Sequence, residues 1–211
     1  MINPGMDEEV NYRLQRIVDN YSADKILLGS DHHFSHANIL RYCKRPFHDV
    51  HHMNRSFITQ WNDQVDDTCL VIYLGDFAMG HKNTVLHILP QLRGQRRWIV
   101  LGNHDRKRET NLATGFEEIH HALRLSFEGI DFNLSHYPYR GKEIDSRRFK
   151  QQLDDDGRWL LCGHVHQAWR MKDRQINVGW DAHHRLVTAR ELGDVVRTGN
   201  LPDMLSNYTE R

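Results

Sequence analysis

The segment Trp98-Ile-Val-Leu-Gly-Asn-His-Asp105 decides the fold, because a short apolar run passes through a glycine directly into side chains that bind metals or transfer protons. The pattern occurs three more times, as Ile26-Leu-Leu-Gly-Ser-Asp-His-His33, Val71-Ile-Tyr-Leu-Gly-Asp76 and Trp159-Leu-Leu-Cys-Gly-His-Val-His166. Short runs of Val, Ile and Leu are typical of strands buried on both faces of a parallel or mixed sheet. Ligands of such sheets bind beyond the carboxyl ends of the strands, so the repeats predict one polar crevice.

The glycine in each copy allows the chain to turn sharply at the end of the strand, because it has no Cβ atom. A single copy would indicate little, since an ordinary strand also ends in glycine and a polar residue. The repetition, with Asp, His or Asn directly after the glycine or one residue later, favours a shared site.

Length and composition restrict the class of protein. A chain of 211 residues is long enough for one α/β domain and short for two. Basic and acidic residues number 28 each, which argues against a broad nucleic-acid or membrane surface. The three cysteines are odd in number and widely spaced, which is typical of reduced thiols. The sequence shows no signal peptide and no apolar run of bilayer length, so we expect a cytoplasmic protein.

The periodicity of apolar residues predicts the order of the elements. In residues 1–24, Val10, Leu14 and Ile17 lie at helical spacing, which predicts a helical extension packed outside the sheet. Residues 25–211 are expected to form a single domain. Its predicted strands are residues 25–29, 69–74, 97–101, 122–127, 130–134, 159–162, 175–179 and 186–188. Its predicted helices are residues 39–43, 49–65 and 84–92, followed by a turn at 181–184 and a C-terminal helix.

The second strand of the hairpin, residues 130–134, ends in Ser135-His-Tyr-Pro138 and supplies a fifth strand end with a histidine. Together the strand ends carry imidazole and carboxylate groups, which suit Mn, Fe, Co, Ni or Zn better than Mg or Ca. The donors suffice for two ions if one carboxylate bridges, and two ions can activate a water for phosphoryl displacement. With two aspartates and a bridging hydroxide, the site would keep a formal charge of about +1 and attract a phosphate ester.

Five polar blocks follow one another along the chain: Asp31-x-His33, Gly75-Asp76, Gly102-Asn-His-Asp105, His136 and Gly163-His-Val-His166. In this order they resemble the five blocks of the calcineurin-like metallophosphoesterase family, over residues 25–188. The resemblance implies an α/β fold, a two-sheet sandwich flanked by helices in four layers, α/β/β/α. The narrower stretch from Asp31 to Phe47 resembles a branch of short bacterial and phage-encoded members. This chain departs from that branch in its residues 1–24, whose effect on oligomeric state or partner binding the sequence leaves open.

The resemblance also implies a role for each residue of the site. One ion would be held by Asp31, His33, Asp76 and His166, and the other by Asp76, Asn103, His136 and His164, with Asp76 bridging. The ions would be divalent transition metals, with Mn²⁺ favoured and Fe, Zn, Ni or Co as alternatives. His104 would stabilise the transition state or protonate the leaving oxygen, and Asp105 would orient the imidazole of His104.

Other polar residues near the blocks are candidates for contact with the substrate. His36 and Asn38 lie a few residues beyond the first strand, although local capping is the commoner role of such residues. Arginines suit phosphate, although exposed arginines are common without a ligand. The candidate arginines are Arg41, Arg45, Arg106 and Arg140. His32 is expected to point away from the metals.

These features predict a binuclear phosphoester hydrolase in which a metal-bridging hydroxide attacks phosphorus in line. No cap domain that would enclose a small monoester is visible, which favours a phosphodiester of nucleotide type. The alternatives are a phosphomonoesterase and a non-catalytic interaction scaffold with the same fold. A nuclease acting on single strands or ends is a further alternative, which the balanced charge disfavours.

Overall fold

The computed structural model describes residues 6–79, 81, 83–105, 109–141 and 151–203. Within these residues the strands are β1 (Ile26–Gly29), β2 (Leu70–Tyr73), β3 (Arg96–Val100), β4 (Glu118–His120), β5 (Leu123–Phe127), β6 (Ile130–Leu134), β7 (Trp159–Cys162), β8 (Met171–Lys172), β9 (Gln175–Asn177) and β10 (Val187–Thr188). The described helices are α1 (Glu8–Val18), α2 (Ala37–Tyr42), α3 (Val50–Gln64), α4 (Thr84–Ile88), α5 (Glu109–Leu112), α6 (Trp180–His183) and α7 (Ala189–Thr198). Short 3-10 turns cover Ala23–Lys25 and Leu89–Gln91.

The described strands form two five-stranded mixed sheets. The first has the order β10-β1-β2-β3-β4, with β10 antiparallel and the other pairs parallel. The second has the order β5-β6-β7-β9-β8, with a parallel centre and an antiparallel pair at each edge. The carboxyl ends of β1, β2 and β3 therefore lie together, as do those of β6 and β7.

Side chains of the first sheet alternate between two apolar cores. On β2, Val71 and Tyr73 contribute to the core beneath α3 and α4, whereas Leu70 and Ile72 contribute to the core that includes Leu134 and other residues of the second sheet. Because β2 is buried along its whole length, it must be apolar at every position. This explains the continuous apolar runs in the sequence.

The helices cover the two sheets in different ways. Helices α2 to α5 pack on the outer side of the first sheet, where Phe57 and Trp61 of α3 are almost fully buried. Helices α1 and α7 join the core that the two sheets share, through Leu14 of α1 and Leu192 of α7. The fold is the predicted α/β sandwich with flanking helices. Among the described residues, no helix has both the length and the apolar character needed to span a bilayer.

The predicted strands and long helices are confirmed, with ends that differ by a few residues. The hairpin is also confirmed, since Phe127 pairs with Ile130 across the two-residue turn Glu128-Gly129. Strands β4 and β8 were not predicted. The predicted turn at residues 181–184 is wrong, because residues 180–183 form the short helix α6, whose four residues are all buried.

Candidate metal centre

The loops after β1 and β2 are joined by backbone hydrogen bonds, which hold their polar side chains at one edge of the first sheet. The Asp31 N–H donates to the Gly75 carbonyl at 3.0 Å, and the His33 N–H donates to the Asp76 carbonyl at 3.1 Å. The second sheet is linked to the same place, because the His164 N–H donates to the Asp31 carboxylate at 2.8 Å. The strand ends of both sheets therefore converge, as the sequence predicted.

Most of the predicted ligands have a left-handed backbone, which non-glycine residues rarely adopt. The φ values are 59° for Asp31, 53° for His33, 55° for Asp76, 70° for His164 and 47° for His166. Such strain persists only where the surroundings impose it, and it is concentrated at functional sites. The sequence predicted a turn at the glycine but gave no sign that the ligands themselves are strained.

Two of the glycines are required because polar side chains approach them closely. A Cβ atom on Gly163 would lie 2.0 Å from Ser30 Oγ and 2.3 Å from Asp31 Oδ2. A Cβ atom on Gly102 would lie 2.2 Å from Asp76 Oδ1. The glycine in these blocks thus makes room for the carboxylates of neighbouring strand ends.

The first cluster of potential ligand atoms consists of Asp31, His33 and His166, whose donor atoms all lie within 4.8 Å of one another. His33 Nε2 is 3.7 Å from Asp31 Oδ1. The rings of His33 and His166 stack with centroids 5.2 Å apart. This group corresponds to the first predicted ligand set apart from its bridging aspartate.

The second cluster consists of Asp76, His136 and His164. His136 Nε2 lies 3.4 Å from Asp76 Oδ2 and 3.1 Å from His164 Nδ1. At its other nitrogen, Nδ1, His136 is 2.8 Å from the Leu74 carbonyl, to which it can donate. That bond would fix the orientation of the ring and direct Nε2 towards the centre, where it can bind a metal after losing its proton.

Asp76 belongs to the second cluster and also lies close to the first. Its Oδ2 atom is 3.6 Å from His33 Nε2 in the first cluster and 3.4 Å from His136 Nε2 in the second. His104 Nε2 is 3.8 Å from the same oxygen. A carboxylate in this place is suited to the bridging position that the resemblance implies for Asp76.

Several donor atoms of the centre are buried without a hydrogen-bond partner among the described residues: Asp31 Oδ1, Asn103 Oδ1 and both ring nitrogens of His33. Buried polar atoms normally have partners, so each exception requires an explanation. Divalent cations would satisfy Asp31 Oδ1, Asn103 Oδ1 and one ring nitrogen of His33, so the residues fit the implied metals. Imidazole, carboxylate and amide groups match first-row transition metals.

The carboxylates and imidazoles of the centre change one another's proton affinity. Burial opposes the charged form of His136, but the Asp76 carboxylate outweighs it and raises the pKa of His136 to about 9. Burial, together with His136, lowers the pKa of His164 to about 4. Burial alone would raise the pKa of Asp31, but His33 and the other imidazoles hold it well below its usual range. The carboxylates are therefore ionised at neutral pH, as metal ligands must be.

His104 lies at the rim of the centre. Its side chain is 35% exposed, and its ring centroid is 5.3 Å from that of His33. The His104 N–H donates to Asp76 Oδ1 at 2.9 Å, which anchors the loop after β3 to the bridging position. A substrate could therefore reach His104 from solvent.

The Asp105 carboxylate binds backbone groups, and its predicted role in orienting His104 stays a prediction. Both of its carboxylate oxygens accept backbone N–H groups, from Asp76 at 2.6 Å, Gly102 at 2.9 Å and Phe77 at 3.0 Å. Asp105 is fully buried, and burial together with the nearby Asp76 raises its pKa to about 6. The carboxylate therefore links the loops after β2 and β3.

Among the substrate-contact candidates, His36 lies closest to the centre. Its ring centroid is 5.3 Å from that of His33 and 6.2 Å from that of His104. Burial and the neighbouring His33 lower the pKa of His36 to about 4, so the ring is neutral at pH 7. Asn38 is exposed on α2.

The candidate arginines differ in their surroundings. Arg41 is exposed, with its guanidinium 5.5 Å from the ring of Tyr42. Arg140 donates to the Asp154 carboxylate at 2.9 Å and to the Gln152 carbonyl. Arg106 lies outside the described residues. Among the described residues, the contacts of Arg41 and Arg140 given above are all with residues outside the two clusters.

The prediction that Arg45 contacts the substrate is wrong. Arg45 is only 5% exposed, and its guanidinium donates to the Asp181 carboxylate and to the carbonyls of Asp31 and His32. Asp181 was not singled out from the sequence, because Asp181-Ala-His-His184 has the composition of a solvated turn. The ring of His32 points away from the clusters, as predicted, and packs against Phe57 in the core.

The fold and the site together place the chain in a family. Residues 25–185 match the model of the calcineurin-like phosphoesterase superfamily domain. The chain therefore belongs to the calcineurin-like phosphoesterase superfamily, and its His/Asp clusters are candidate metal sites typical of binuclear metallophosphoesterases.

Particular relatives extend this similarity along most of the chain. The uncharacterized protein MJ1445 of Methanocaldococcus jannaschii is 36% identical over 195 residues, which cover 85% of this chain and 98% of that protein. The gene 66 protein of Mycobacterium phage D29 is 33% identical over 190 residues, which cover 79% and 93%. The crystal structure of a protein of unknown function, AQ665 from Aquifex aeolicus, has a TM-score of 0.62 at 25% identity and covers 81% of this chain and 98% of that chain.

Proposed function

We propose that the protein is a binuclear metal-dependent hydrolase of phosphoesters, with phosphodiesters of nucleotide type as the favoured substrates. The observation that carries the proposal is the pair of buried clusters on either side of Asp76. One ion would be held by Asp31, His33, Asp76 and His166, and the other by Asp76, Asn103, His136 and His164. Mn²⁺ is the metal that we favour, and the nitrogen and oxygen donors also suit the alternatives Fe, Zn, Ni and Co.

When bound, two divalent ions supply an activated water and a clamp on the attacking and leaving oxygens of a phosphoryl group. The residues of the chain have separate tasks around them. Asp76 spans the two clusters and fixes their separation, and the Leu74 carbonyl holds the ring of His136. His104 stands at the exposed rim, where its Nε2 can donate a proton to the leaving oxygen.

The surroundings of the centre support a substrate with an organic group on each side of the phosphate. An open groove of about 370 Å³ adjoins His166, and α2 and the segment after β7 form its walls. It is lined by Ile39, Tyr42, Cys43, Val165, His166, Gln167 and Ala168. A mixed apolar and polar wall suits the base or sugar of a nucleotide, and the open shape leaves space for a second ester substituent.

The test is a comparison of two chromogenic substrates, bis-p-nitrophenyl phosphate and p-nitrophenyl phosphate, with Mn²⁺-loaded protein. We expect higher kcat/KM for the diester and loss of turnover with a chelator. A clear preference for the monoester would assign the protein to the phosphomonoesterases instead.

The matched variant is His104→Ala, which removes the proposed proton donor without removing a predicted ligand. It should lower kcat by roughly 100-fold or more while the metal content is unchanged, since positioned acids contribute about 10²–10⁴-fold. Absence of turnover in the wild type with both ions bound would favour the interaction scaffold.

A further inference from the structure

Arg45 and Asp181 form a buried ion pair behind the first cluster. Arg45 Nε and Nη2 donate to the two oxygens of Asp181 at 2.8 and 2.7 Å, and both side chains are at most 5% exposed. The guanidinium lies against aromatic rings, with its carbon 5.2 Å from the ring of Trp180 and 5.5 Å from that of Phe57. The pair is therefore held rigidly in a low-dielectric environment.

Arg45 also binds the strained backbone that carries two of the predicted ligands. Its Nη2 donates to the Asp31 carbonyl at 2.6 Å, and its Nη1 donates to the His32 carbonyl at 2.7 Å. Asp31 and His33 both have positive φ values. A lysine could not replace these contacts, because only the planar guanidinium presents donors in several fixed directions.

Asp181 acts on a third member of the same cluster. Its Oδ2 atom is 2.8 Å from Nδ1 of His166. A carboxylate that accepts from Nδ1 fixes the orientation of the imidazole ring and directs its Nε2 atom towards the cluster. The ion pair thus contacts the backbone of Asp31 and of His32, which precedes His33, and the ring of His166.

We propose that the Arg45–Asp181 pair is a positioning device for one half of the metal centre, the half formed by Asp31, His33 and His166. The inference rests on the proposed metal centre. The described contacts of the pair are with the carbonyls of Asp31 and His32 and with the ring of His166, so we expect its effect to fall on the ion that these residues would hold.

A purely structural ion pair would have different consequences. Buried pairs contribute little net stability relative to apolar replacements, whereas removal of one partner destabilises the whole fold. Such a loss would lower the stability of the metal-free protein and leave the relative affinity of the two ions unchanged. A positioning role instead weakens one ion selectively.

The experiment is a calorimetric titration of metal-free wild type, Arg45→Lys and Asp181→Asn with Zn²⁺. In the wild type we expect two bound ions per chain. In each variant one ion should bind about 10–100-fold more weakly, the usual effect of losing a partner behind a ligand, and the other should keep its affinity. Co²⁺ spectra should show altered ligand-field bands for the weakened ion.

The matched controls are Arg185→Lys and Glu191→Gln, which alter another partly buried ion pair that is separate from the clusters. These variants should bind both ions as the wild type does. Three results would overturn the inference. Arg45→Lys or Asp181→Asn could weaken the two ions equally, the two variants could bind both ions as the wild type does, or the two variants could fail to fold without metal. If the wild type binds two ions and the variants bind them equally well, the positioning role fails and the proposed function stands. If the wild type does not bind two ions, both proposals are refuted.

Discussion

Asp105 follows the catalytic candidate His104 in the sequence, and its side chain binds the backbone. Its carboxylate accepts three N–H groups, from Asp76, Phe77 and Gly102, and it is fully buried. An asparagine there would offer one accepting oxygen and would turn its NH₂ group towards a backbone donor. Each buried donor left without a partner costs about 1–3 kcal/mol.

We therefore predict that Asp105→Asn lowers the free energy of unfolding of the metal-free protein by about 2–4 kcal/mol. Urea denaturation followed by circular dichroism measures this value. The control is Asp49→Asn at the N-cap of α3, where asparagine caps as well as aspartate and stability should hardly change. Unchanged stability of Asp105→Asn would contradict the role that we assign to its carboxylate.

Gly163 offers a second test at a single position. In Gly163→Ala the new methyl group would collide with Ser30 Oγ and Asp31 Oδ2. We expect this variant to lose binding of at least one metal ion, measured as metal content per chain after dialysis. Gly129→Asn is the comparison, because the turn at Gly129 has open space and asparagine tolerates a positive φ. Full metal content in Gly163→Ala would show that the contact is not required.

The predicted metal ligands can be identified from the sequence more readily than the residues that hold them in place. Asp31, Asp76 and His164 could be found because each follows an apolar strand and a glycine. Asp181 and Arg45 could not, since a buried salt bridge between distant residues leaves no local pattern. The left-handed backbone of the ligands was also hidden, because it is imposed by hydrogen bonds between loops.

Helix α6 is an element that local composition did not predict. His183 at its end is fully buried, with Nε2 2.8 Å from the Asn177 carbonyl. Burial lowers the pKa of His183 to about 4, whereas an unfolded histidine titrates near 6.5. Between these pH values the unfolded chain binds more protons at this position than the folded chain does.

The contribution of His183 to stability is therefore complete above about pH 6.5 and decreases as the pH falls towards about 4. The difference in pKa corresponds to about 3 kcal/mol. We predict that His183→Gln, which keeps an N–H donor but does not titrate, has a shallower decline in stability over this range. Urea denaturation at several pH values provides the measurement, and an identical slope in both proteins would contradict the prediction.

Among the other elements, the longer and more deeply buried ones could be predicted from the sequence more readily. Strands β1 and β2 are buried along their whole length, and β3 is buried and apolar from Trp98 onwards. Helix α3 has a regular apolar stripe. Strands β4 and β8 have three and two residues and no buried run, so no periodicity can develop. Their pairing depends on the neighbouring strand and not on their own residues.

At the scale of the whole molecule, the candidate metal centre joins the two sheets. Asp31, His33 and Asp76 follow strands of the first sheet, whereas His136, His164 and His166 follow strands of the second. Ions bound there would connect the sheets at one end of their common core. The sequence order of the five blocks predicted this convergence, since parallel strands bring their carboxyl ends to one edge.

Metal binding should therefore stabilise the whole fold. At a free Mn²⁺ concentration 100 times the Kd, one ion stabilises by about 2.7 kcal/mol, which corresponds to a rise in Tm of about 5–10 °C for a chain of this size. Differential scanning calorimetry with Mn²⁺ and with excess chelator measures the difference. Equal Tm values under the two conditions would show that the folded protein does not bind the ion.

We propose that the two clusters, which meet at Asp76, hold a pair of metal ions. Anomalous diffraction from crystals grown with Mn²⁺ tests it most directly. We predict two peaks about 3.5–4 Å apart, one beside Asp31, His33 and His166 and the other beside His136 and His164, with Asp76 between them. A single peak, or none, at these residues would contradict the binuclear centre.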